Sequence, residues 1–151
     1  MRGFVWIGLV AALGACKGDS GKRARKSEVA LELNKLGKAA KVYYAERSVL
    51  PTGTATQLPA APCCGQPSNK CATAPAATWA ADPIWNALEF AQDEPGHFQY
   101  GYTGAPSGQA FTATAVGDLD CDGIAITYTL TGTVQDGNLR IDLVEPPAGA
   151  D

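Results

Sequence analysis

With 151 residues, 46% of them apolar, the chain suits one small domain with a moderate core. A formal charge of −3 hides a division: residues 16–47 carry nine Lys/Arg against four Asp/Glu, and residues 48–151 carry two against eleven. Nucleic-acid binding is excluded, because the only basic run, Lys22, Arg23, Arg25 and Lys26, has no aromatic interleaving.

Met1 and Arg2 form a short positive region, and Phe4–Leu13 is an uncharged apolar run too short to span a bilayer, which takes about 20 residues. Leu13-Gly14-Ala15-Cys16 follows. It resembles the bacterial lipobox, which implies cleavage before Cys16 and lipidation of that cysteine. Setting Cys16 aside leaves four of the five cysteines, an even number suited to an oxidising compartment. The expected organisation is a signal peptide over 1–15, a lipidated polar tether over 16–26 and a globular domain over 27–151. Lys17 rather than Asp after the cysteine favours the outer membrane, with the domain facing the periplasm or the exterior.

Ser27 as N-cap and Glu28 in the first turn predict a helix start. Val29, Leu33, Leu36, Ala40, Tyr43 and Tyr44 recur at helical spacing as one apolar stripe, and the helix should end before Pro51. Gly37 within it costs about 1 kcal/mol relative to Ala. Residues 51–79 read as an irregular stretch holding Cys63, Cys64 and Cys71, a length that calls for cross-linking. Asp82-Pro83 predicts an N-cap with proline at the first helical position, opening a short helix through Ile84, Trp85 and Leu88 to about Ala91.

Period-two alternation follows. Phe98/Tyr100/Tyr102, Phe111/Ala113/Ala115, Ile124/Ile126/Tyr128/Leu130 and Leu139/Ile141/Leu143 predict four strands, separated by turns at 104–108, 117–123 and 136–138. Short connections favour an antiparallel meander, and its apolar face matches the helix stripe. The expected fold is therefore α+β, one N-terminal helix packed on a four-stranded antiparallel sheet, with a disulfide-stapled loop between them.

Asp118-Leu119-Asp120-Cys121-Asp122-Gly123 matches the opening half of a D-x-D-x-D-G calcium loop, making Asp118, Asp120 and Asp122 candidate calcium ligands. The twelfth position is Thr129 rather than the bidentate Glu. The competing reading is an Asp/Gly-rich turn between strands. Pairing Cys63 with Cys64 would strain the backbone, so two pairings remain, and each ties the 63–71 region to Cys121. A zinc site is disfavoured by the missing C-x2-C spacing. His97, the only histidine, has no placed nucleophile and reads as structural. No G-x-S-x-G, Walker, dinucleotide, H-E-x-x-H or haem-attachment motif occurs, so the chain reads as non-enzymatic. Trp79, Trp85, Tyr100 and Tyr102 suit core packing better than a sugar-binding stripe.

Three stretches resemble the heads of type IV pilins and type II secretion pseudopilins. They are ELNKLGKAAKVYYAERSVLPTG over 32–53, FQYGYTG with QAFTATAVGDLDCDG over 98–104 and 109–123, and the cysteine-bearing loop between helix and sheet. Their order spans most of residues 28–145. The resemblance implies a pilin-like head whose partners are proteins of a pilus or secretion apparatus, and it raises the case for calcium, since some pseudopilins bind it in an acidic loop. The pilin's leader and hydrophobic helix of about 25 residues are replaced here by the lipobox and a polar segment. The implied protein is a membrane-tethered lipoprotein of the cell envelope acting by protein–protein contacts. The alternative is a calcium-dependent surface adhesin or ligand-binding module.

Overall fold

The computed structural model describes residues 19–147 and Ala150. Cys16, the signal segment and the start of the expected tether lie outside them.

The first element among the described residues is a 29-residue helix, α1 (Asp19–Arg47). It begins before the expected N-cap. Ser27 lies inside it, and its hydroxyl donates to the Arg23 carbonyl four residues back at 2.9 Å. The Lys- and Arg-rich segment ahead of Ser27, with Ala24 among them, contains good helix formers, which carry the helix through residues expected to be a loose tether. Val29, Leu33, Leu36 and Ala40 are fully buried, and Tyr43 and Tyr44 flank them half-buried.

The sheet has five strands in the order β1-β2-β3-β4-β5, every neighbouring pair antiparallel. The strands are β1 (Gly53–Thr54), β2 (Gln99–Gly104), β3 (Ala110–Gly117), β4 (Ile126–Gln135) and β5 (Asn138–Val144). The expected count of four therefore misses β1, whose two residues pair with the end of β2. Two residues are too few to show an alternation. The third expected strand also starts late: Ile124 is 69% exposed and β4 opens at Ile126.

The two faces of the sheet differ as the alternation requires. Tyr100, Tyr102, Phe111, Ala113, Ala115, Tyr128 and Leu130 point inward and are buried. The outer face is threonine-rich, with Thr54, Thr103, Thr112 and Thr131 forming one row across four strands. α1 crosses the inner face over β3, β4 and β5. Gly37 faces the sheet there: a Cβ would meet Leu130 at 3.4 Å and Ile141 at 3.5 Å, ordinary contact distances. At Gly132 a Cβ would collide with the Phe111 ring, so glycine is what allows that ring to lie across β4.

The connection between β1 and β2 closes the other flank of the core. It holds α2 (Ala76–Ala81), which sequence patterning missed within an Ala-rich run, and α3 (Pro83–Ala87), which ends short of Ala91. Asp82 caps α3 as expected, accepting N–H bonds from Ile84 at 2.9 Å and Trp85 at 3.3 Å. Trp79, Trp85, Phe90 and Tyr100 stack edge to face or tilted at centroid distances of 5.3–5.8 Å. The four aromatics weighed as a sugar stripe are at most 2% exposed and belong to the core.

Candidate functional site

The β3–β4 connection carries the acidic motif, and local backbone demands shape it. Cys121 and Gly123 take left-handed φ values of 62° and 94°. The Asp118 carboxylate accepts from the N–H groups of Asp122 at 3.2 Å and Gly123 at 2.9 Å. Asp120 accepts from Asp122 N–H at 3.2 Å, and Asp122 accepts from Ile124 N–H at 2.8 Å. These are the self-directed bonds by which Asp builds turns. They also hold Ile124 in the loop, which explains why its apolar character does not extend β4.

The loop is fixed from outside as well. Leu119 is buried at 8% exposure, and its carbonyl accepts a 2.6 Å bond from the Arg25 guanidinium of α1. Two disulfides are formed, Cys63–Cys71 and Cys64–Cys121. The first closes the loop between helix and sheet on itself, and the second ties it to the acidic loop. That resolves the pairing that sequence left open, and with all four thiols oxidised no thiolate remains there for zinc.

Asp118, Asp120 and Asp122 each place a carboxylate oxygen within 4.8 Å of the others. A hard cation would thus meet three oxygens, but Thr129, at the twelfth position, is a β4 residue paired with Thr114 and Val144. The calcium-loop pattern is therefore not completed in the usual way. The turn hydrogen bonds account for the loop geometry without a cation. Beside it, a cleft of about 150 Å³ lined by Pro62, Cys64, Gln99 and Asp118 is smaller than the several hundred Å³ typical of small-molecule sites.

A second polar cluster joins α1 to the start of β2, and sequence reading missed it. In sequence, Glu28 suits the dipole at the helix start. Its carboxylate instead accepts the His97 backbone N–H at 2.7 Å and pairs with His97 Nδ1 at 2.8 Å. A Cβ on Gly96 would collide with Gln92 and Glu28, so glycine makes room for this contact. The pair links α1 to the segment leading into β2. Close by in sequence, Glu32 has a buried oxygen without a hydrogen-bond partner, as do Gln92 and the Tyr100 hydroxyl. Burial raises the Glu32 pKa, while Lys35 opposes the shift and Asp93 and Glu28 add to it. Burial likewise raises Tyr100, so its phenol stays protonated.

No protein-family model matches the chain, and no curated protein or solved structure shows significant similarity to it. Among the described residues no helix is long and apolar enough to cross a membrane.

Proposed function

We propose that this chain is a lipid-anchored, pilin-like head domain that works by protein–protein contacts in a pilus, secretion or cell-surface apparatus of the bacterial envelope. The observation that carries the reading is the order of its parts. A lipobox ending at Cys16 is followed by a long helix laid across an antiparallel meander, and the intervening loop is cross-linked to the acidic β3–β4 turn. The anchor stands where a pilin has its hydrophobic assembly helix, so the head is kept for what it contacts rather than for building a filament. A helical rather than coiled segment before Ser27 would hold the head at a set orientation to the membrane, and basic residues there would favour an anionic surface.

Cross-linking in the native envelope, followed by peptide mass spectrometry, tests this. Subunits of a pilus or secretion machine should be recovered with the wild-type chain and lost with Cys16→Ser. Recovery of no such subunit contradicts the reading. The converging carboxylates of Asp118, Asp120 and Asp122 favour a second reading, a calcium-dependent surface-binding module. Glycan or cell-surface binding abolished by EGTA would select it.

A further inference from the structure

Among the described residues, the last strand leaves one long sheet edge open. β5 has seven residues and pairs only with β4, whereas the opposite edge, β1, has two. Edges of this length are commonly blunted by proline, a bulge or a cover. The β4–β5 register runs unbroken from Gln135↔Asn138 to Thr129↔Val144, and prolines come only after the strand, at Pro146 and Pro147.

The direction of the free backbone groups follows from the ladder. Val134 N–H points away from β5, donating to the Gln109 carbonyl at 2.8 Å, so the pair Val134↔Leu139 is not hydrogen-bonded. Alternation then turns the backbone groups of Asn138, Arg140, Asp142 and Val144 toward β4. Those of Leu139, Ile141 and Leu143 face outward, and among the described residues no backbone bond takes them up.

We propose that two copies of this chain join edge to edge through β5, antiparallel about a two-fold axis at Ile141, with Arg140 of each copy opposite Asp142 of the other. The segment Asn138–Val144 is self-complementary in that register. Leu139 faces Leu143 on the α1 side of the sheet, and Ile141 faces its own copy. All outward-pointing residues fall into hydrogen-bonded pairs. The two Arg140–Asp142 contacts fall at non-hydrogen-bonded pairs, where facing side chains come closest. Both charged side chains are exposed, and within their own chain they face Thr133 and Thr131 across β4. Other registers are poorer. Centring on Arg140 or Asp142 sets like charges opposite, a one-residue offset mates outward-pointing residues with inward-pointing ones, and centring on Leu139 or Leu143 overlaps only three residues of each strand and forms no Arg140–Asp142 pair. A second copy would extend each five-stranded sheet to ten strands and cover Leu139, Ile141 and Leu143, which are half-exposed at the margin of α1. The proposal does not depend on the pilin-like reading.

Sedimentation of the full chain in an excess of micelles reads the association directly. Arg140→Asp alone and Asp142→Arg alone should each weaken dimerisation about tenfold or more, since each places two like-charged pairs across the joint. The double swap Arg140→Asp/Asp142→Arg should restore it. Amide hydrogen exchange of the unmutated chain supplies a check that needs no variant to fold. Leu139, Ile141 and Leu143 should gain protection as protein concentration rises, while Arg140 and Asp142, bonded to β4, should not change. A wild type that stays monomeric to millimolar concentration, single reversals without effect, a double swap that fails to restore association, or concentration-independent exchange would each overturn the proposal.

Discussion

Replacing Cys64 and Cys121 together by alanine removes a cross-link between residues 57 apart in sequence. The native acidic loop keeps its other supports, the Asp118 hydrogen bonds and the Arg25 bond to Leu119. The main effect therefore falls on the unfolded chain, which gains the freedom of a long open loop. Chain-entropy arithmetic for that separation gives a loss of about 4 kcal/mol, against about 2.5 kcal/mol for a loop of Cys63–Cys71 size. Urea unfolding followed by tryptophan fluorescence measures this, because Trp79 and Trp85 are buried in the core. The midpoint should fall, and the slope m should rise as the freed unfolded chain exposes more surface. A loss below about 1 kcal/mol with unchanged m would refute the assignment of this bridge to unfolded-state restraint.

Four smaller perturbations test separate joints. Gly37→Ala should stabilise by about 0.5–1 kcal/mol in thermal melts, since its methyl meets Leu130 and Ile141 at ordinary contact distance while helix propensity improves. Asp82→Ala should cost about 1–2 kcal/mol at pH 7 by removing the α3 cap and the 2.8 Å acceptor for Thr56 N–H. Burial pushes the Asp82 pKa up, but N–H donors from Thr56, Ile84 and Trp85 outweigh it and hold the carboxyl below its ordinary value of 3.8. Its contribution is therefore full above that value and lost as pH falls through the lower folded pKa, so urea midpoints of wild type and variant should converge in acid. Glu32 runs the other way: its raised pKa means that ionisation opposes folding above the ordinary value of 4.5. Glu32→Gln should raise the urea midpoint at neutral pH, with the gain shrinking as pH falls through the folded pKa. Because turn hydrogen bonds already complete the acidic loop, the melting temperature should stay within about 1 °C between millimolar calcium and EGTA; a rise of several degrees would place a cation on Asp118, Asp120 and Asp122.

Much of the fold was written in periodicity. The α1 stripe from Val29 to Ala40, the Asp82-Pro83 cap and the Asp136-Gly137 turn were legible because each rests on neighbours within a few positions. What escaped depends on distant partners. β1 is a strand only because Gly53 and Thr54 meet Gly104 and Thr103. Glu28 could be placed against His97 only once α1 lay against the segment leading into β2. The disulfide partner of Cys121 likewise needed three-dimensional proximity, since Cys63 and Cys64 are adjacent in sequence. The start of α1 was missed for a different reason. Gly18, Ser20 and Gly21 suggested a tether, and the helix-forming Lys, Arg and Ala that follow prevailed from Asp19 onward.

Intact-mass spectrometry of the chain extracted from the native envelope tests the central claim most directly. The account predicts a polypeptide beginning at Cys16 and carrying acyl groups on that residue. An N-terminus elsewhere, or a Cys16 without lipid, would contradict it.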